Sequence, residues 1–138
     1  MPNNVRQKVR LEGDRATIIH LWDAVQKHSL CQAVIPEPIE QVVDHRTSRR
    51  DWRDTNWGSK GDIHSVTDVQ MDTDFKNLSV LEFNCVTAWE GVFPVWQKLV
   101  DLGLHVRVEV TGELWDGKEF IWIDGVRVWE REQPIGEE

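Results

Sequence analysis

Residues 5 to 11 read Val-Arg-Gln-Lys-Val-Arg-Leu, so an extended chain puts Val5, Gln7, Val9 and Leu11 on one side and Arg6, Lys8 and Arg10 on the other. A period of two is the mark of a β-strand with one face on a core and one in water. Three cationic side chains in this spacing are not buried together. The chain must therefore build a sheet that is covered on one face only.

The segments that follow supply the cover. Asp14 stands where a helix N-cap is expected, and Ile18, Leu21, Trp22 and Val25 recur at helical spacing through Lys27. Leu30 to Ile35 is a short apolar run closed by Pro36 and Pro38 and is read as a short strand, with one or two helical turns around Ile39, Val42 and Val43. Strand character resumes at Ile63 to Val69, and MDTDFKN reads as a polar turn. Leu78 to Trp89 is the strongest buried strand. Pro94 suits a first helical turn, Trp96, Leu99 and Val100 form an apolar stripe, and Gly103 marks the stop of a helix over Phe93 to Leu102. Leu104, Val106, Val108 and Val110 again alternate with polar neighbours. Asp116-Gly117 and Asp124-Gly125 flank Glu119 to Ile123, which predicts a three-stranded antiparallel meander.

Helices segregated from a mostly antiparallel sheet define an α+β sandwich, and this order predicts the ferredoxin-like split βαβ arrangement. Its first and third strands are expected side by side at the centre, bringing Arg6, Lys8 and Arg10 near Glu82 and Asn84. The core should set Val9, Leu81, Phe83, Val106 and Val108 against Ile18, Leu21, Trp22, Trp96 and Leu99. At 138 residues one domain is expected, over 1–130. The run EREQPIGEE carries no packing pattern, so 131–138 is expected to be a mobile tail.

Charge is uneven. Residues 1 to 60 hold ten Lys/Arg and eight Asp/Glu, a balance of +2, whereas 61 to 138 hold six and sixteen, a balance of −10. The acidic half argues against a nucleic-acid partner, because phosphate-backbone affinity rests on many cationic contacts. It suits a protein partner with a basic surface, or serves solubility alone. No apolar stretch approaches the ~20 residues that cross a bilayer, and the polar opening Met1-Pro2-Asn3-Asn4 has no apolar signal region behind it, so a cytoplasmic chain without membrane contact is expected. Cys31 and Cys85 lie in apolar surroundings without CxxC spacing and read as buried thiols in a reducing compartment.

The opening MPNNVRQKVRLEGD, the IPEP turn, the NWGSK element and the LEFNCVTAW strand, in this order, resemble the YubB-like ferredoxin-fold proteins of phages and plasmids. The resemblance covers residues 1 to 111. It departs from the family pattern at Gln7, Ser59, Gly61 and the inserted Cys85-Val86. It implies a ferredoxin-like fold and a phage or mobile-element setting without an established activity. A host protein is then the expected partner, and inhibition of a bacterial defence system is one form such binding takes.

A search for catalytic machinery yields little. His20, His28, His45, His64 and His105 have no HExxH, HxH or CxxC companion, and Gly58 and Gly61 lack P-loop spacing. Asp62, His64 and Asp68 are close in sequence but are read as ordinary surface residues, so neither a metal nor a cofactor is expected. Eight Trp with no Tyr is the unusual feature of the composition. Trp22, Trp89 and Trp96 are expected in the core. Trp52, Trp57, Trp115, Trp122 and Trp129 fall in the meander or in the excursion DHRTSRRDWRDTNWGSKGD, which has a short helix expected near Arg49 to Asp54.

That excursion carries the candidate binding residues Arg46, Arg49, Arg50, Trp52, Arg53, Trp57 and Lys60, since forked guanidinium contacts beside Trp make binding hot spots. Trp57, Gly58 and Lys60 also match the family motif and are open to a second role, pinning the excursion to the sheet. The leading expectation is a non-enzymatic binding protein. The alternative is a small-molecule or nucleotide site, with or without hydrolysis, in which Arg49, Arg50, Arg53 and Lys60 hold phosphate. Single-stranded nucleic acid on the sheet face is not expected, because the central strands lack an aromatic pair.

Overall fold

A computed structural model of the chain describes residues 4–36, 49–59, 61–73, 78–88, 92–112 and 118–132. The opening alternation is strand β1 (Asn4–Asp14), with Val5, Gln7, Val9 and Leu11 buried and Arg6, Lys8 and Arg10 exposed. Asp14 ends it and caps helix α1 (Arg15–Gln26), accepting from the Thr17 backbone N–H at 3.1 Å and its hydroxyl at 2.7 Å. These donors hold the Asp14 carboxyl below its ordinary range.

The expected short strand at Leu30 to Ile35 is instead helix α2 (Leu30–Val34). The reason is a cap supplied from far along the chain. The Asp62 carboxylate accepts from the Cys31 and Gln32 backbone N–H groups at 2.8 and 2.9 Å, satisfying donors that a helix start leaves orphaned. The helical turns expected around Ile39, Val42 and Val43 lie outside the described residues, as do Trp89, Trp115 and the Asp116-Gly117 turn.

Helix α3 (Arg49–Trp57) falls where a helix was expected and runs one turn longer. It is followed by β2 (His64–Thr73), β3 (Leu78–Ala88), α4 (Phe93–Asp101), β4 (His105–Gly112), β5 (Lys118–Ile123) and β6 (Val126–Glu132). Met71 to Thr73 continue β2 rather than opening a turn, and Arg131 and Glu132 belong to β6 rather than to a tail. Their backbone pairs with Glu119 and Lys118, which gives these polar residues a ladder that no apolar pattern announces.

The six strands form one antiparallel sheet in the order β2-β3-β1-β4-β5-β6. β1 sits between β3 and β4 with Lys8 opposite Asn84 and Arg10 opposite Glu82, as the charge pattern predicts. Val9, Leu81, Phe83, Val106 and Val108 are buried on the covered face with Ile18, Leu21, Trp96 and Leu99. Trp22 is not in this core: it is 38% exposed. Ile18, Leu21, Ala24 and Val25 fill the sheet-facing arc of α1, which leaves Trp22 roughly 90° round the helix from its centre.

The meander is part of the core rather than an appendage. Phe120 and Trp122 of β5 are buried, and Phe93 of α4 stacks on Phe120 with ring centroids 5.6 Å apart. Asp124 and Gly125 turn β5 into β6 with φ of 47° and 104°, the left-handed pair that a tight hairpin turn requires.

One polar node lies inside this apolar layer. Gln7 accepts from the Trp96 indole N–H at 2.8 Å and donates to the Thr87 hydroxyl at 2.9 Å, tying β1, α4 and β3 together. Gln7→Leu keeps the volume but takes the acceptor away from the Trp96 indole N–H in the core. Leaving that buried donor unpaired should cost about 2 kcal/mol, measured as a lowered urea midpoint at unchanged m-value.

Candidate functional site

The excursion is organised by its last aromatic residue. Trp57 is 2% exposed, and its indole N–H donates to the Ile35 carbonyl at 2.8 Å, locking the end of α3 onto the segment after α2. Gly58 takes φ of 78° and donates its N–H to the Arg53 carbonyl at 3.2 Å, the left-handed cap that lets the helix stop. Ser59 is buried, and Asp62 then accepts from the N–H groups of Cys31 and Ile63 through one oxygen and of Gln32 through the other. The Asn-Trp-Gly-Ser element is thus a pin.

Two side chains of α3 assemble on that pin. Trp52 meets Trp57 edge to face, with centroids 5.7 Å apart and planes at 82°. The Arg53 guanidinium lies 5.3 Å from the centre of the Trp57 ring. Trp52 and Arg53 are half-buried, each keeping part of its surface in solvent. Asn56 donates its amide to the Trp52 carbonyl at 2.9 Å and stiffens the turn between them.

Of the seven candidate residues, the fold brings Trp52, Arg53 and Trp57 into one cluster. Burial gives Trp57 the pinning role and leaves its ring no surface to offer a partner. The backbone of Arg49 and Arg50 lies in α3. Arg46 and Lys60 lie outside the described residues.

Several titratable groups elsewhere are engaged in structure. The carboxylate of Asp62 is filled by three backbone donors, Asp68 accepts from the Asn84 amide at 2.8 Å, and the His64 ring contacts the Ser65 hydroxyl at 3.0 Å. Among the described residues no three His, Cys, Asp or Glu side chains cluster to hold a metal ion. Cys31 and Cys85 are buried free thiols. Burial, with Asp62 adding to it, pushes Cys31 far above its ordinary value and Cys85 up to about 12.

Sequence reasoning passed over two arrangements. His105 reaches Asp124 at 3.2 Å, while the other Asp124 oxygen accepts from the Val106 N–H at 2.7 Å. A recess also opens on the sheet face opposite the described helices, over Arg6 and Lys8. The alternation of β1 pointed to that face, but only the strand order says what stands beside each cation.

Compared with known proteins, the chain matches no family model, no curated protein and no solved structure. Among the described residues no helix is long and apolar enough to cross a membrane.

Trp57→Ala removes a core aromatic and its hydrogen bond and should cost about 3 to 5 kcal/mol in chemical unfolding. Trp57→Phe, which refills most of the volume, should recover more than half of that. The thiols give a second check. At pH 8 neither Cys should react with Ellman's reagent in the folded protein, and both should react at once in denaturant. Unfolded thiols ionise near 9.0 while the folded ones keep their protons. The thiol contribution to stability is therefore complete below pH 9 and declines as the pH rises above it, and Cys85→Ala should flatten that decline.

Proposed function

We propose that this chain is a non-enzymatic binding protein of ferredoxin-like fold that recognises another protein through α3 and its flanking residues. The order of the first four strands, β2-β3-β1-β4 with β1 and β3 central and α1 and α4 in the connections, supports the fold reading. The phage or mobile-element setting rests on the resemblance of the opening, the turn and the Trp-Gly element. In that setting the partner is a host protein, and blocking a bacterial defence system is one consequence of holding it.

The observation that carries the reading is the Trp52, Arg53 and Trp57 cluster. A partner gains most from aromatic and guanidinium groups that are already ordered, because little side-chain entropy is then lost on docking. Trp57 provides that order from inside the core, and Trp52 and Arg53 are held against it with surface still exposed. Arg49 and Arg50 belong to the same helix, and arginine as a residue type forks onto carboxylates, so an acidic complementary surface is part of the proposal.

The test is affinity for a purified partner, found by mass spectrometry of proteins retained from bacterial lysate. Arg49→Ala combined with Arg50→Ala should leave the melting temperature within a few degrees of wild type and weaken binding about 30-fold or more. Arg53→Ala should lower stability as well, by about 1 kcal/mol, because its guanidinium is stacked on Trp57. Wild-type affinity in both the Arg49/Arg50 variant and Arg53→Ala removes α3 from the recognition surface.

A further inference from the structure

On the sheet face that carries no helix among the described residues, β1 presents Arg6, Lys8 and Arg10, and their neighbours treat them differently. Arg10 pairs with Glu82 at 3.6 Å, and on β4 Arg107 pairs with Glu109 at 3.7 Å. Arg6 and Lys8 enter no ion pair with the described residues. Arg6 stands between Val86 and Thr111, and Lys8 between Asn84 and Glu109, the carboxylate that Arg107 draws toward itself.

A recess of about 460 Å³ opens above these two cations, and Ser65, Thr67, Asn84 and Thr111 line it with them. Glu109 also borders it. Its outer strand is bent to suit. β2 spends three residues where β3 spends two, between His64 and Thr67 and again between Thr67 and Gln70. Each bulge holds one non-glycine residue in the left-handed region, Ser65 at φ 53° and Asp68 at φ 54°. Bulges bend a strand and re-aim its side chains. Here they put Ser65 and Thr67 in the lining of the recess, the Ser65 hydroxyl meeting the His64 ring, and Asp68 is occupied by the Asn84 amide.

The chemistry of this lining is that of an anion site. Residues i and i+2 of a strand lie roughly 7 Å apart on one face, close enough for Arg6 and Lys8 to converge on a single phosphate. The hydroxyls of Ser65, Thr67 and Thr111 add neutral donors and acceptors around it. The volume falls within the several hundred Å³ typical of small-molecule sites. We propose that the recess binds a phosphate-bearing small molecule of nucleotide size, its phosphate held by Arg6 and Lys8. The site lies across the sheet from the helices and is independent of recognition through α3.

Calorimetric titration with adenosine 5′-monophosphate, backed by ¹H–¹⁵N spectra, tests it. Saturable binding is expected at low salt, with shifts concentrated in β1, β2, β3 and Thr111. Adenosine should bind at least ~10-fold more weakly, since the charged contacts are lost. Inorganic phosphate should compete for the site but bind more weakly than the nucleotide; equal affinity would overturn a ligand of nucleotide size and make this a site for free phosphate. Arg6→Gln with Lys8→Gln should weaken binding at least ~30-fold at unchanged melting temperature, whereas Arg10→Gln, at the paired cation, should bind within ~3-fold of wild type. No saturable binding at millimolar nucleotide, equal binding of adenosine, or wild-type affinity in the Arg6/Lys8 variant each overturns the proposal. So does preference for an oligothymidylate over the mononucleotide with a salt dependence of several released ions, which would make this face a strand-binding surface.

Discussion

The paired hydrogen bonds of Gln7 hold this architecture to a single arrangement. Apolar side chains such as Val5, Val9 and Leu11 tolerate many neighbours, because dispersion and burial have no direction. An amide does not. Gln7 is 1% exposed at the middle of the central strand, and its two ends find Trp96 and Thr87, 89 and 80 residues away. A one-residue slip of β1 would turn Arg6, Lys8 and Arg10 into the core and Gln7 out of it. The register of β1, the seating of α4 and the inward face of β3 are therefore one decision.

That decision divides the molecule into two working surfaces. On the helical side, Trp57 closes α3 over Ile35 while Asp62 caps α2, so a cationic excursion is fastened at several points by backbone groups. On the bare side, strand alternation sets out a row of cations that the adjacent strands either neutralise or leave available. The net charge of −8 conceals both. What counts for recognition is the set of side chains within about a Debye length of one another, and the fold sets that neighbourhood.

Much of this was legible in the residues. The alternation of β1, the stripe and proline of α4, the alternation of β4 and the Asp124-Gly125 turn each follow from a residue and its near neighbours, and each stands where it was expected. The neighbourhood of Arg10 and Glu82 was legible too, because pairing the first and third strands leaves those side chains on the same face. The failures have a common cause. Leu30 to Val34 is helical because a carboxylate thirty residues on completes its first turn. Trp22 stays partly exposed because smaller residues already occupy the arc that faces the sheet. Arg131 and Glu132 are strand because β5 offers them a ladder, whatever their polarity. In the candidate site, Arg53 and Trp52 were recognisable by type, but the burial of Trp57 that orders them depends on the carbonyl of Ile35.

By itself, then, the sequence determined the periods: which stretches extend, which coil, which face of each is apolar, and that one side of the sheet must meet water. These properties depend on residues two to four positions apart, within reach of any reader of the chain. Tertiary structure alone decided which polar groups find partners. Asp62 reaching α2, Trp96 reaching Gln7, and Arg6 and Lys8 left beside a recess all depend on distant segments meeting at hydrogen-bonding distance. Such directional contacts are set only when the strands have chosen their order and register.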